Sequence, residues 1–342
     1  MKYKTAIIFG AGAFGTSIAS VLSENFDQII VKVRSQDIYD SIKSGENAIY
    51  LPGQKLAKNI VPALDWKEVD TLTEQSKIEL LVNGLPTSAI CSFYSENKER
   101  FLKYFENNIP LVSLSKGIDP DTLELPDDLF NRYFSAHHDK LTYLSGPSFA
   151  KEILDKQVTI VSLAGKSPDV LLNVTSMLQT NYFKAFPTYD VKGVLLGGAL
   201  KNILAIAGGI LEGMGYNHNT RAAMITRGIT EMLRFGKVYN ARPETFYSFA
   251  GMGDLILTTT SNLSRNKTFG LEIAKGRKPS EIIASQRSVV EGYKTTAAAH
   301  KLASKYHIRT SLFDGIYQIL YNDTAPEEVI KRLMEQPIST ID

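Results

Sequence analysis

Near its start the chain reads Thr5-Ala-Ile-Ile-Phe-Gly10-Ala-Gly12-Ala-Phe-Gly15, a short apolar run followed by three spaced glycines. The apolar run predicts a buried strand, and the residues after the last glycine predict a helix. Gly10 permits a tight turn, Gly12 lets a pyrophosphate approach the backbone, and Gly15 lets helix and strand pack closely. Because a helix N-terminus also attracts phosphate, the stretch indicates a dinucleotide-binding turn; the alternative is the same turn without a ligand.

The alternation of short apolar runs with amphipathic stretches continues to about Pro187. This pattern predicts an α/β fold, a Rossmann-like, doubly wound and mostly parallel sheet with helices on both faces. We expect strands at Thr5–Phe9, Gln28–Val33, Ile78–Asn83, Leu111–Ser115, Leu141–Leu144, Val158–Ala164 and Phe183–Phe186. We expect helices at Thr16–Asn25, Ala89–Tyr104, Phe149–Leu154 and Pro168–Gln179, and an extended loop region with room for a short strand at Asn47–Pro62.

After Pro187 the strand signals almost vanish and helical periodicity takes over. We therefore expect residues 1–188 to form the sheet domain and residues 189–342 to form an all-α domain. A chain of 342 residues also exceeds what a single hydrophobic core usually organises. The expected helices are Val191–Leu211, Arg221–Tyr239, Lys267–Lys275, Lys294–Tyr306, Ser311–Tyr321 and Pro326–Glu335.

The charge and the cysteine content of the chain exclude several classes of function. Lys+Arg 38 against Asp+Glu 36 leaves a net charge of +2, too balanced to indicate nucleic-acid binding or a basic membrane surface. The single cysteine, Cys91, excludes an intrachain disulfide framework and fits a reducing compartment. The first apolar run breaks at Gly10 without a signal-peptide cleavage site, so we expect a cytoplasmic protein. No cluster of residues has metal-ligand spacing, and we expect no metal.

One lysine interrupts the most apolar stretch of the chain, Gly193–Leu211. Helical spacing puts Lys201 on one face with Gly197, Ala205 and Gly208, a shallow trough of small residues that another backbone or a ligand can approach. Apolar surroundings disfavour the charged form and can lower the pKa of a lysine toward the range of a proton donor and acceptor. The alternative is a lysine that reaches water or pairs with a carboxylate for stability alone. The lysine also favours a buried core helix over a membrane span.

The end of the second predicted strand bears on cofactor choice. NAD-binding turns have an acidic residue about 20 positions further on, whereas this chain has Arg34 and Ser35 there. A guanidinium and a hydroxyl suit a 2′-phosphate, which favours NADPH over NADH. Alternatively Arg34 stacks on adenine or is a solvated surface charge.

Two single residues and three segments are further candidates for binding. Lys116 follows a predicted strand at the edge where open parallel sheets bind ligands, unless it is a solvated loop lysine. The segment Ser145–Ala150 offers hydroxyls and backbone N–H groups at a helix start, or only an N-cap. Two predicted polar loops, Gly251–Asp254 and Ser264–Asn266, supply an arginine suited to phosphate and an aspartate that could hold a lysine. They could instead form a salt bridge with each other or cap helices. Glu291 could accept from a cofactor or cap the next helix.

The motifs together resemble those of the bacterial type of NAD(P)-dependent glycerol-3-phosphate dehydrogenase, in the family's order and over nearly the whole chain. The matching segments are Gly-Ala-Gly-Ala-Phe-Gly-Thr at 10–16, Leu-Ser-Lys-Gly at 114–117, Ser-Gly-Pro-Ser-Phe-Ala-Lys-Glu at 145–152, Gly-Gly-Ala-Leu-Lys-Asn at 197–202, Gly-Met-Gly-Asp-Leu at 251–255, Ser-Arg-Asn at 264–266 and Val-Val-Glu-Gly-Tyr at 289–293. Departures are Ser148 for threonine, Thr259 for cysteine and Ser115 for threonine, none of which removes a charge or a proton donor.

The resemblance implies a role for each matching residue. Lys201 would be the catalytic proton donor and acceptor, positioned by Asp254, with Lys116 contacting both substrate and cofactor. The trough of Gly197, Ala205 and Gly208 would be the floor on which nicotinamide and substrate meet. The substrate site would comprise Lys116, Gly146, Ser148, Lys201, Asp254, Ser264, Arg265 and Asn266. The cofactor site would comprise Gly10, Gly12, Ala13, Phe14, Gly15, Arg34, Lys116, Ala150, Arg265, Val289 and Glu291.

The implied reaction is the interconversion of dihydroxyacetone phosphate and sn-glycerol 3-phosphate with NADP(H) or NAD(H), by a homodimer that supplies glycerophospholipid synthesis. The sheet domain would bind the dinucleotide and the helical domain the substrate. Two alternatives remain from the sequence: a related two-domain reductase of another keto acid or keto phosphate, and a dinucleotide-binding regulatory protein without catalysis. The set of Lys116, Lys201, Asp254 and Arg265 argues against the second, because a sensor needs no proton donor.

Overall fold

The computed structural model describes residues 2–285 and 290–336, and contacts divide the chain into two units. The first unit comprises the residues up to Lys116 together with Pro126–Val194. The second comprises Gly117–Leu125 and the residues from Leu195 onward. The short segment Gly117–Leu125 thus belongs with the second unit although the chain returns to the first unit after it.

The first unit is built on an eight-stranded sheet. Its strands are β1 (Tyr3–Phe9), β2 (Phe26–Lys32), β5 (Ile60–Ala63), β6 (Ile78–Asn83), β7 (Leu111–Ser113), β8 (Leu141–Ser145), β9 (Thr159–Gly165) and β10 (Phe183–Thr188); β3 (Glu46–Asn47) and β4 (Leu51–Lys55) form a separate antiparallel pair. The sheet order is β10-β9-β8-β7-β6-β1-β2-β5, and its strand pairs are parallel except for β8 with β9. The predicted mostly parallel, doubly wound sheet is confirmed.

Strand β5 is the strand of this sheet that the sequence pattern did not clearly predict. Its run, Ile60-Val-Pro-Ala, is short and contains Pro62, which weakens a strand signal. In the structure β5 lies at the sheet edge, where Pro62 is paired in register with Val31. An edge position tolerates a residue that has no backbone N–H to donate.

Eight α-helices belong to the described part of the first unit: α1 (Ala13–Ser23), α2 (Gln36–Lys43), α3 (Trp66–Thr73), α4 (Ile90–Glu96), α5 (Lys98–Glu106), α6 (Pro126–Phe134), α7 (Ala150–Leu154) and α8 (Pro168–Leu178). The predicted helix at 89–104 is wrong in detail, since it is two helices that meet at Asn97. Helices α2, α3 and α6 were not predicted. Helices α2 and α3 are only 8 residues long and each buries one side chain, Ile42 and Val69, so their apolar patterns are short.

Helices are the only regular secondary structure in the described residues of the second unit. Its helices are α9 (Val191–Gly213), which begins in the first unit, and α10 (His218–Val238), α11 (Pro243–Phe246), α12 (Asp254–Thr260), α13 (Arg265–Ala274), α14 (Pro279–Ser285), α15 (Glu291–Tyr306), α16 (Ser311–Tyr321) and α17 (Pro326–Met334). A π-helical turn, Phe249–Gly253, leads into α12. Among the described residues, only α9 is long and apolar enough to cross a membrane, with a mean hydropathy of 1.8, but that apolar window is 100% buried. Helix α9 is therefore a core helix.

The glycine turn after β1 has the geometry that its spacing predicts. Gly10 adopts a φ of +102°, which favours glycine. A Cβ on Gly15 would lie 2.3 Å from the carbonyl oxygen of Gly10, so only glycine fits there. A Cβ on Gly12 would meet nothing within 4 Å, so packing within the protein does not require glycine at that position. The turn therefore has an open side at Gly12.

We expect alanine substitutions at Gly12 and Gly15 to have different effects on stability. Gly15→Ala should lower the free energy of unfolding by about 1–3 kcal/mol, because the new methyl group forces helix α1 away from the turn. Gly12→Ala is the matched control: at a φ of −66° and facing open space, alanine should change stability by less than about 1 kcal/mol. Urea unfolding of both variants measures the difference. Equal destabilisation would contradict the packing role of Gly15.

Candidate active site

The carboxyl ends of the parallel strands bring the predicted residues of the first unit to one edge of the sheet. Gly10 follows β1, Arg34 lies two residues after β2, Lys116 lies three residues after β7, and Gly146 follows β8. Ligands of open parallel sheets bind at this edge. The strand order, not the spacing in the chain, brings these residues to the same edge of the sheet.

Lys116 joins three motifs that are far apart in the sequence. Its ammonium donates to the carbonyl oxygen of Gly146 at 3.3 Å and lies 5.5 Å from the ring centroid of Phe14. The hydroxyl of Ser148 donates to the same carbonyl oxygen at 2.8 Å. Gly146 itself must be glycine, because its φ is +150° and a Cβ would lie 2.8 Å from Cα of Val161. These contacts fix the side chain of Lys116, which is therefore not a solvated loop lysine.

A buried hydrogen-bond network fixes the segment before Lys116. The amide of Asn83 donates to Ser113 Oγ at 3.1 Å and to Ser115 Oγ at 2.7 Å, and Ser115 donates to the carbonyl oxygen of Leu85 at 2.6 Å. The Tyr94 hydroxyl donates to Asn83 Oδ1 at 3.2 Å, and burial raises the pKa of Tyr94 well above its ordinary value, which keeps this donor protonated. Sequence reasoning missed Asn83 and Tyr94. The available signal in the sequence was Asn83 itself, a polar residue at the end of an apolar strand.

The end of β2 presents Arg34 and Ser35 to solvent. Ser35 precedes α2 at the N-cap position, and its hydroxyl makes no capping hydrogen bond. Both side chains are therefore exposed at the sheet edge, where a bound nucleotide's ribose would be expected. Ala150, another predicted cofactor residue, is the first residue of α7.

Lys201 is buried in the second unit with two polar partners. Its ammonium donates to the carboxylate of Asp254 and, at 2.9 Å, to Thr258 Oγ1. The Thr258 hydroxyl donates in turn to the backbone carbonyl oxygen of Asp254 at 2.6 Å. Exposure is 7% for Lys201, 1% for Asp254 and 4% for Thr258. Sequence reasoning missed Thr258, although it lies one helical turn after Asp254 and therefore on the same face of α12.

The trough of small residues around Lys201 has a different use from the predicted one. A Cβ on Gly197 would lie 2.5 Å from the carbonyl oxygen of Ala250, and a Cβ on Gly208 would lie 3.3 Å from that of Thr259. Ala205 is fully buried. The trough thus admits the backbone of the π turn and α12, and its predicted role as the floor for nicotinamide and substrate is wrong. Lys201 is buried beside the carboxylate of Asp254.

The two predicted polar loops are helix starts. Gly251 belongs to the π turn, where a Cβ would lie 2.2 Å from the carbonyl oxygen of Phe246, and Asp254 is the first residue of α12. Ser264 caps α13 by accepting from the backbone N–H of Lys267 at 3.2 Å, and Arg265 begins the helix. The glycines indicated loops because the sequence does not reveal which backbone presses against them.

Arg265 and Asn266 have different surroundings at the start of α13. Arg265 is exposed at a helix N-terminus, a location that attracts anions, while Asp254 pairs with Lys201. The amide of Asn266 donates to Asn202 Oδ1 at 3.0 Å, and its oxygen accepts from the backbone N–H of Gly292 at 3.0 Å. Asn266 therefore joins α13 to α9 and to the start of α15.

Of the last predicted cofactor residues, Glu291 is the first residue of α15. Val289 lies outside the described residues.

Comparison with known proteins gives matches over nearly the whole chain. The family model for the NAD-dependent glycerol-3-phosphate dehydrogenase N-terminus matches residues 5–171, and the model for the C-terminus of the same family matches residues 190–331. A glycerol-3-phosphate dehydrogenase [NAD(P)+] of Solidesulfovibrio magneticus is 37% identical over 336 residues, 98% of this chain and 99% of the relative. One of Leptospira biflexa is 37% identical over 97% of each chain.

Solved structures agree with the sequence matches. The crystal structure of glycerol-3-phosphate dehydrogenase from Coxiella burnetii superposes with a TM-score of 0.86 at 29% identity, covering 98% of this chain and 99% of that one. Glycerol-3-phosphate dehydrogenase from Saccharomyces cerevisiae shares the fold, with a TM-score of 0.80 at 24% identity over 98% of this chain and 100% of that one. With both family models matched in order and relatives aligned end to end, the chain belongs to the NAD-dependent glycerol-3-phosphate dehydrogenase family.

Proposed function

We propose that this chain is an NAD(P)-dependent oxidoreductase that interconverts dihydroxyacetone phosphate and sn-glycerol 3-phosphate. The observation that carries the proposal is the buried lysine Lys201, bonded to Asp254 and Thr258, in a chain whose relatives are named for this reaction. Those names favour this substrate over the keto acids of other two-domain reductases.

Lys201 is the general acid of the reductive direction. It donates a proton to the carbonyl oxygen of the substrate and, in the oxidative direction, takes a proton from the hydroxyl group. The bound nicotinamide supplies or accepts the hydride. Asp254 and Thr258 hold the amine in one place, so that the proton leaves from a fixed position. Lys116 contacts the substrate oxygen and the cofactor, and positive charge near a developing alkoxide stabilises the transition state.

Arg265 binds the phosphate of the substrate, together with Ser264 and Asn266. The exposed guanidinium at the N-terminus of α13 combines a planar set of donors with the partial positive charge of the helix end. Gly146 and Ser148 also contact the substrate. Binding energy at the phosphate, remote from the reacting carbon, then serves to orient the carbonyl group.

The glycine turn fits the pyrophosphate of a dinucleotide. Its open side at Gly12 leaves room for close approach, and helix α1 begins at the next residue, Ala13. Phe14, Ala150, Val289 and Glu291 contribute further contacts to the cofactor. The exposed Arg34 and Ser35 favour NADPH over NADH, because a 2′-phosphate meets a cation and a hydroxyl instead of a carboxylate.

We extend the proposal to organisation and location. Residues 1–188 serve as the dinucleotide-binding domain and residues 189–342 as the substrate-binding domain, in line with family matches to 5–171 and 190–331. The protein works as a cytoplasmic homodimer whose product feeds glycerophospholipid synthesis. The single cysteine supports a reducing compartment.

Replacing the acid tests the catalytic assignment. Lys201→Met should lower kcat with dihydroxyacetone phosphate by about 100-fold or more, because a positioned proton donor is lost, while NADPH affinity stays nearly unchanged. Steady-state absorbance of NADPH and fluorescence titration measure the two quantities. Lys275→Met is the control, since its ammonium is exposed just after the end of α13 and pairs with Glu272. Near-normal turnover in Lys201→Met would refute the assignment.

Removing the proposed phosphate contact tests substrate recognition. Arg265→Ala should raise KM for dihydroxyacetone phosphate by about 10- to 100-fold, as expected for the loss of hydrogen bonds to a charged group. Arg277→Ala, which removes an arginine paired with Glu272 at 3.0 Å, should leave KM unchanged. A panel of unphosphorylated and carboxylated ketones gives the second readout. An effect of Arg265→Ala confined to cofactor affinity would contradict the role.

Cofactor preference depends on the residue after β2. Arg34→Asp should reverse the NADPH-to-NADH selectivity, with kcat/KM for NADPH falling by about 10-fold or more, because a carboxylate repels the 2′-phosphate. The ratio of kcat/KM for the two cofactors is the measurement. Unchanged selectivity would mean that Arg34 does not contact the 2′-phosphate.

A further inference from the structure

The second unit contains another buried lysine, and the proposed mechanism does not use it. Lys267 is the third residue of α13 and is 1% exposed. Its ammonium donates to the carbonyl oxygen of Thr260 at 3.1 Å and to Asn262 Oδ1 at 3.0 Å, and it pairs with Glu212 Oε2 at 3.0 Å. An ammonium has three N–H groups, so each has an acceptor.

The three acceptors lie on different parts of the unit. Thr260 is the last residue of α12, Asn262 lies in the linker between α12 and α13, and Glu212 lies near the end of α9. Glu212 also accepts from Arg221 Nη1 of α10 at 2.9 Å, which fixes the carboxylate. One side chain thus ties the linker to the helix that carries Lys201.

The backbone of Lys267 also contacts both the linker and α9. The N–H of Lys267 donates to the Ser264 hydroxyl, which ends the linker. A Cβ on Gly209 of α9 would lie 2.0 Å from the carbonyl oxygen of Lys267, so the two helices are in backbone contact at this point. The contact sets the distance between α9 and α13, and the ammonium sets the path of residues 261–264.

We propose that Lys267 is a positioning residue for the phosphate-binding start of α13. It holds the linker against α9, so that Arg265 and Asn266 are presented in one orientation. This inference rests on the proposed function, in which those two residues bind the substrate phosphate. An apolar side chain of the same length would fill the space but would remove the ammonium donor from the Thr260 carbonyl oxygen and from Asn262 Oδ1, and the linker would lose its connection to α9.

Substitutions on both sides of the contact test the proposal. Lys267→Met should raise KM for dihydroxyacetone phosphate by about 10-fold or more, with kcat and KM for NADPH changed by less than about 3-fold. The inhibition constant of inorganic phosphate should rise in parallel. Lys275→Met, at the exposed C-cap of the same helix, is the control and should change none of these constants.

The exposed partner Asn262 provides variants that preserve the core. Asn262→Ala removes one acceptor and should raise KM for dihydroxyacetone phosphate by about 3-fold, whereas Asn262→Asp keeps an oxygen acceptor and should stay near wild type. If Lys267→Met fails to fold, this pair carries the test. Hydrogen exchange supplies a readout independent of activity: amides of residues 260–266 should exchange faster in Lys267→Met and Asn262→Ala, with α16 unchanged.

The outcomes separate the two proposals. Lower unfolding stability with unchanged KM and phosphate inhibition would overturn the positioning role and leave Lys267 a purely structural lysine. Equal behaviour of Asn262→Ala and Asn262→Asp would overturn it as well. If the wild-type enzyme fails to reduce dihydroxyacetone phosphate, the proposed function fails, and phosphate affinity with hydrogen exchange in residues 260–266 still decides the inference.

Discussion

Close backbone contact along α9 is the constraint on which the helical unit depends. Glycines make the contact possible: a Cβ on Gly197 would collide with the π turn, and one on Gly209 would collide with α13. The contact with α13 is reciprocal, because a Cβ on Gly270 would lie 2.1 Å from the carbonyl oxygen of Ile206. With the backbones this close, side chains on the three segments meet over short distances. Asp254 and Thr258 reach Lys201, and Asn266 reaches Asn202.

Both buried lysines of this unit are surrounded by acceptors. Burial of a charge is costly unless it is paired and hydrogen-bonded, and each lysine has a carboxylate and at least one further oxygen. Their surroundings differ in one respect. Lys201 contacts two side chains of a single helix, which suits an amine that gives up and regains a proton at one place. Lys267 contacts three separate segments, which suits a fixed connection between them.

The sheet unit assembles its site by another principle. Parallel strands end at a common edge, so Gly10, Lys116 and Gly146 lie at the same edge of the sheet although more than a hundred residues separate the first from the last. Polar residues at the strand ends then fix the loops. Asn83 connects two serines of the adjacent segment, and the buried Tyr94 orients Asn83.

The sequence by itself determined the parallel sheet, the glycine turn, the long core helix and the family, because apolar periodicity and motif spacing are local properties of the chain. It also predicted catalytic or binding roles for Lys201, Lys116, Asp254 and Arg265. It did not identify the partners that tertiary structure supplies: Thr258 beside Lys201, Asn83 behind Lys116, and the acceptors of Lys267. The helical period shows which residues share a face but not what that face contacts. The small residues around Lys201 therefore suggested a floor for a ligand, whereas in the structure the backbone of neighbouring segments packs against them. For the same reason glycines in the segment 251–253 indicated a loop, and only the neighbouring carbonyl of Phe246 explains why a helical turn needs them.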